Sequence, residues 1–151
     1  MRPDIPLDGE RAADCIDIVI AVIRDADGRV LLVRKLGSDA FIQPGGKREP
    51  GERSLDTLAR ELAEELGLRL RADTARPLGV FEDLAVNEPG RRVRGEAFLV
   101  EAEGAPAPAG EIAELAWIDP RAPGGLPIAR LSAHHILPAV LADDLRREAR
   151  R

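Results

Sequence analysis

The segment from Ser54 to Leu66 constrains the chain more than any other. Leu55, Leu58, Leu62 and Leu66 recur at helical spacing, so one stripe must be buried against something else in the molecule. Ser54 stands where an N-cap is needed and Gly67 where a helix stops. At roughly 100° per residue, Glu64 and Glu65 fall about 60° and 40° to either side of Glu61. Three carboxylates thus share one face, about a quarter-turn from the leucines. Like charges at these spacings repel by a few tenths of a kcal/mol. They also crowd the C-terminal half of the helix, where the backbone dipole disfavours anions. The pattern predicts a helix that buries leucine and presents acid at a cost in stability.

A hard divalent cation, Mg²⁺ or Mn²⁺, accounts for that cost, because such ions take clustered carboxylate oxygens, whereas zinc sites favour Cys and His. A merely solvated acidic face is the plainer alternative. The preceding loop weighs against it. Gly45 and Gly46 permit close approach of a ligand to backbone, and Glu52 brings a further carboxylate just before the helix. Arg60 can pair with a neighbouring glutamate and hold its rotamer.

Around this helix the chain reads as one mixed α/β domain. Residues 1–14 are a polar, proline-containing lead-in, and 15–151 the domain. Cys15–Arg24 and Val30–Val33 are buried strands joined by Asp25-Ala26-Asp27-Gly28, which predicts a hairpin. Pro44 and the two glycines argue against regular structure over 41–46. Strands are expected over Leu78–Val86 and Val93–Glu103, with a turn at Asn87-Glu88-Pro89-Gly90, and over Ile112–Ile118. A final helix is expected over Ser132–Arg147, kinked at Pro138.

Composition narrows the partners. With 22 Lys+Arg against 27 Asp+Glu the net charge is −5, which disfavours a long nucleic acid. Only Lys35 and Lys47 are lysines, a bias attributable to genome composition. A single cysteine, Cys15, excludes an internal disulfide and suits a reducing compartment. The longest clear apolar run, Ile18–Ile23, is far shorter than a membrane span. With no signal-peptide pattern at the N-terminus, the expected location is cytoplasmic.

Gly46, Glu52 and then Arg60-Glu61-Leu62-Ala63-Glu64-Glu65-Leu66-Gly67-Leu68 form a spaced pattern that resembles the Nudix box of the Nudix hydrolases. All nine defined positions match across 23 residues, and Pro44-Gly45 upstream also looks like the family. The resemblance is to the short, MutT-like members. It implies an α/β/α sandwich with a mixed sheet, and hydrolysis of a nucleoside diphosphate-linked substrate with Mg²⁺ or Mn²⁺. A nucleoside triphosphate, cleaved to monophosphate and pyrophosphate, is the leading expectation. Nucleotide-sugar or ADP-ribose-type pyrophosphatase activity, and a non-catalytic nucleotide-binding module, are the alternatives.

The resemblance also implies roles. Glu61, Glu64 and Glu65 match metal-binding and water-managing glutamates, Glu61 being the candidate base. Glu52 matches a position that can join a second metal site, and Arg60 the orienting arginine. Glu111, six residues before Trp117, is the candidate for a further metal-site glutamate outside the box, with Glu114 and Glu96 as weaker competitors. Gly45 and Gly46 would shape the loop against metal and phosphate. Arg130 falls near the place of the MutT-type purine-reading asparagine, a departure that argues against oxidised-guanine specificity; Arg130 is expected instead to contact phosphate or base, with a plain surface charge as the alternative. Phe41, beside the glycine loop, is the expected base platform, whereas Phe98 and Trp117 read as core. His134 and His135, adjacent in sequence, are expected to face different directions in surface or packing roles. The expected partner is a small nucleotide, without membrane or long nucleic acid, with a homodimer as the alternative to a monomer.

Overall fold

The structure is a computed structural model that describes residues 15–86 and 88–150; the lead-in 1–14 and Asn87 lie outside the described residues. Strands β1 (Cys15–Val22), β2 (Val30–Lys35), β3 (Phe41–Ile42) and β4 (Gly45–Gly46) come first. Helix α1 (Ser54–Leu66) follows, then β5 (Arg69–Leu84), β6 (Arg92–Glu103) and β7 (Ile112–Ile118). The chain ends in a π-helical turn (Ser132–Ile136) continuous with α2 (Leu137–Ala149).

Two sheets form, in the orders β4-β1-β6-β5 and β3-β2-β7. The β1/β6 pair is parallel and the others antiparallel, so the architecture is mixed, as expected. Strand alternation sorts the core into two layers. Val19 and Ala21 of β1 and Leu31 and Val33 of β2 pack with Leu58, Leu62 and Leu66 of α1. Ile20 and Val22, with Val30 and Leu32, pack on the other side with Ile136, Leu137 and Val140. Both strands are apolar on successive residues because both faces are covered by helix. The result is a helix/sheet/helix sandwich.

The expected hairpin is corrected. The Asp25–Gly28 turn closes, with Gly28 N–H donating to Asp25 O at 3.0 Å and Leu31 N–H to Ile23 O at 2.9 Å. Beyond it β1 and β2 part into different sheets. The free edge of β1 is taken instead by the proline–glycine segment, which does form two short strands. Gly46 and Gly45 pair with Val19 and Ile20, and Ala21 N–H donates to Pro44 O at 2.9 Å. Gly45 has a φ of +143°, and a Cβ there would lie 2.1 Å from the carbonyl oxygen of Val19. Only glycine can lie this close to β1 in this conformation.

Helix α1 has the expected bounds but a different start. Arg53 is the N-cap, and its N–H donates to the Asp56 carboxylate at 3.0 Å. The Ser54 hydroxyl donates to Glu96 instead. Gly67 closes the helix in the left-handed region at φ 66°. Strand β5 begins nine residues earlier than expected. It is a sheet-edge strand whose register shifts between Arg71 and Arg76 and between Pro77 and Gly79, so no alternating pattern marks it. Pro138, the expected site of a kink, sits in the first turn of α2, directly after the π turn that α2 continues.

Two buried carboxylates tie α2 and its π turn to β5. Asp143 accepts two hydrogen bonds from Arg76, at 2.8 and 2.9 Å. Asp83 accepts from Arg130 at 2.8 Å and from the Leu84 N–H at 2.6 Å, and its other oxygen lies 2.9 Å from His135 Nε2. These partners hold both carboxyls below the ordinary aspartate range: chiefly the Arg130 and Leu84 hydrogen bonds for Asp83, and the Arg76 hydrogen bonds for Asp143. A carboxyl more acidic in the folded than in the unfolded chain stabilises the fold above its unfolded pKa and loses that effect as pH falls through its folded value. The unfolding free energy should therefore drop below about pH 4. Urea titrations at pH 7, 5 and 3 will show this. D143N should lose stability at pH 7 and show a flatter acid limb than the parent chain.

Candidate active site

The site lies where β4 crosses the edge of β1 and meets the C-terminal half of α1. Arg60 organises it. Its Nε and Nη2 grip the two Glu52 oxygens at 2.8 and 2.9 Å, Nη2 also reaches Lys47 O at 2.9 Å, and Nη1 donates to Glu61 Oε1 at 2.7 Å. One guanidinium thereby fastens the loop to the helix and fixes the Glu61 rotamer, the pairing expected from sequence. Glu52 further accepts from Thr57 Oγ1 at 3.0 Å and from the Glu49 N–H at 2.7 Å. These bonds, Arg60's foremost, hold its carboxyl down to about 2. The carboxylate expected at a second metal site is thus occupied in anchoring Arg60.

Glu65 differs from its neighbours. It is 6% exposed, a rare place for a carboxylate, and accepts from the Gly45 N–H at 3.2 Å. Burial pushes its carboxyl up to about 7; the Gly45 hydrogen bond and Lys35 oppose the rise, and Glu61 and Glu111 add to it. Three carboxylates, two from α1 and one from the loop before β7, therefore share one field.

Glu111 arrives there for a structural reason. The last carbonyls of α1 lack helical partners. Ala107 N–H donates to Leu66 O at 3.2 Å and Ala109 N–H to Glu65 O at 2.9 Å, while Leu36 N–H bonds to Glu111 O at 2.8 Å. The Ala/Pro loop thus caps α1 and delivers Glu111 beside it. The competitors are engaged elsewhere, Glu114 with Arg34 at 2.7 Å and Glu96 with Arg48 and Ser54.

Glu61, Glu65 and Glu111 all line one cavity of about 670 Å³, together with Gly45, Gly46, Lys35, Lys47 and Arg48. Glu64 does not line it. Its side chain is 58% exposed and touches Arg60 at 3.5 Å. The acid face read from the helical wheel is therefore split between cavity and solvent. As the side chains stand, no three Asp, Glu, His or Cys among the described residues are gathered around a single metal position. The donors on the wall are nevertheless carboxylates without thiol or imidazole, the chemistry of a hard cation site.

Two substrate-site expectations are corrected. Phe41 is buried among Val30, Leu32 and Ile136, 4% exposed, and its ring is not on the cavity wall. Its place follows from β3 pairing with β2, which turns the ring into the core. Arg130 also lies off the wall. Ala129 and Leu131 on either side line the cavity, while the Arg130 guanidinium is turned to Asp83. His134 and His135 do not diverge: both reach Asp83, at 3.7 and 2.9 Å, because they lie on the wider π turn.

Residues not singled out as site residues also line the cavity. Lys35 and Lys47, the chain's two lysines, both do. Gln43 does too, its Nε2 donating to Ala21 O at 3.3 Å to extend the short β1/β4 pairing, while its buried Oε1 has no partner. The lysine scarcity was the one signal in the sequence for the first two; nothing there marked Gln43.

Comparison with known proteins places the chain in a family. The NUDIX domain model matches residues 16–140, and the chain belongs to the Nudix family. Among individual proteins, the Escherichia coli 8-oxo-dGTP diphosphatase is 32% identical over 91 residues, 57% of this chain and 66% of that protein. An RNA pyrophosphohydrolase of Halorhodospira halophila is 47% identical over 47 residues, covering 31% of this chain and 26% of that protein. The matched stretches thus span less than two thirds of these relatives' lengths. The solution structure of the E. coli ORF135 protein superposes with a TM-score of 0.73 at 30% identity, covering 95% of this chain and 98% of that one. No helix of the described residues is long and apolar enough to cross a membrane.

The two glycines impose different demands. A Cβ on Gly45 would strike backbone, whereas one on Gly46 would meet the Glu61 carboxylate carbon at 2.6 Å, the end of a side chain. Thermal denaturation should find G45A severely destabilised or unfolded. G46A should fold with a midpoint near that of the parent chain, its cost falling on the position of Glu61.

Proposed function

We propose that the chain is a divalent-cation-dependent Nudix pyrophosphohydrolase that cleaves a nucleoside triphosphate to monophosphate and pyrophosphate. The observation that carries this reading is the convergence of Glu61, Glu65 and Glu111 on a cavity that also presents Lys35 and Lys47. The complete glutamate set of the box favours an enzyme over a silent binding module. The H. halophila relative is named for RNA, but the net charge of −5 favours a small nucleotide here.

Glu61, Glu65 and Glu111 would hold Mg²⁺ or Mn²⁺; Glu64, off the cavity wall beside Arg60, would have to turn toward them to join the same ion. When bound, the cation supplies charge neutralisation of the diphosphate and acidification of water. The protein's own groups do the rest. Lys35 and Lys47 draw the phosphates in. Arg60 keeps the Glu61 carboxylate fixed, and Glu52 acts through Arg60 as its anchor. Water attacks one phosphorus of the bridging anhydride, a P–O bond forms as the bridging P–O bond breaks, and Glu61 takes the water's proton. No covalent enzyme intermediate is needed.

Pyrophosphate release from nucleoside triphosphates, with and without Mg²⁺, tests the reading. Activity should vanish with a chelator and return with Mg²⁺. E61Q and E65Q should each lower kcat by about 10²-fold or more. E65Q should also retain or gain thermal stability, because it replaces a buried carboxylate with a neutral group. Near-normal kcat in E65Q would overturn the assignment of the metal site.

A further inference from the structure

The cavity has two chemically distinct halves. One holds the carboxylates and lysines described above. The other lies on the α2 side of the sheet and is formed by Ile16, Ile18, Ile20, Leu84, Val93 and Leu131. Ile18, Ile20, Val93 and Leu131 belong to the cluster packed under α2, so this wall is an extension of the core. Not one aromatic ring lines the cavity. Phe41 and Phe98 are buried, Trp117 packs against the α1 layer, and Phe81 lies against His135. Positions 1–14, 87 and 151, outside the described residues, contain no aromatic residue either.

Polar side chains able to read a base edge are scarce in the same half. Arg130 is committed to Asp83 and Glu88 to Arg91 at 3.0 Å. Backbone donors there are spent too: Ala85 N–H on Arg91 O and Ala129 N–H on Phe41 O, each at 2.9 Å. Among the described residues of this half, Ser132, 2% exposed and on the cavity wall, is the polar side chain that remains.

We infer that this half is an aliphatic clamp that holds a nucleobase by shape and leaves its identity unread, so the substrate class is nucleoside triphosphates irrespective of base. The inference rests on the proposed function, which places the phosphates in the other half. Its physical basis is an asymmetry of recognition. An apolar wall separates ligands differing by a small group by about 10–200-fold, whereas a site that hydrogen-bonds a polar group rejects its analogue by about 10⁴-fold or more. Apart from Ser132, the described residues of this wall offer only the first kind of discrimination.

The test is a panel of ATP, GTP, CTP and UTP, with kcat/KM measured in Mg²⁺. A spread within about 200-fold is expected. A preference for one base beyond that overturns the inference while leaving the hydrolase reading intact, and so does preferential turnover of an isoprenyl diphosphate. If nothing is turned over, the proposed function fails, and calorimetric affinities for the four α,β-methylene triphosphates still decide the inference by the same criterion. I18A adds a second reading. It should raise KM for all four bases by a common factor and leave kcat within twofold; a base-dependent change would show that the wall reads identity.

Discussion

The approach of the Gly45-Gly46 strand to β1 is the contact on which the site depends. At Gly45 the two backbones are so close that any side chain would overlap the Val19 carbonyl. That proximity completes the edge of β1, which the hairpin leaves open. It aims the Gly45 N–H at Glu65 across the top of the sheet. It also leaves beside Gly46 the space that the Glu61 carboxylate fills. Strand pairing and the placement of acid are therefore one arrangement, and neither can be altered at position 45 without the other.

Electrostatics explain why α1 is fastened so heavily. Like charges in a sparsely solvated cleft repel more strongly than on an open helix. Arg60 offsets part of that repulsion, being bound to Glu52 and Glu61 at once. Glu52 in turn gains from four donors, so the anchor is itself held. Among the described residues Glu65 has no cationic partner at bonding distance, and its carboxyl is the one driven toward neutrality. An added positive charge would be most welcome beside that group, which is how an acidic protein can attract phosphates.

How much could be read from the chain alone followed from the range of the interactions. Helix α1 and strand β7 have the expected bounds, because stripe, stop signal and alternation are local patterns. The candidacy of Glu111 rested on family likeness, and its delivery to the cavity depends on loop amides capping carbonyls of a distant helix. Phe41 and Arg130 were misplaced for a common reason. Each sits next to site residues in sequence, but its side chain is turned away, Phe41 by the pairing of β3 with β2 and Arg130 by its hydrogen bond to Asp83. β4 escaped notice because strand preference is judged from side chains, and two glycines have none.

The two layers of the sandwich also account for the division of the cavity. Successive residues of β1 serve opposite faces: Val19 and Ala21 support the helix that carries the acids, and Ile18 and Ile20 form the aliphatic wall. The cavity passes around the edge of this one strand, where β4 is only two residues long. A longer β4 would seal that edge and separate the halves. The brevity of the glycine strand is thus what lets one cavity be lined both by the carboxylates beside α1 and by the isoleucines of the opposite face.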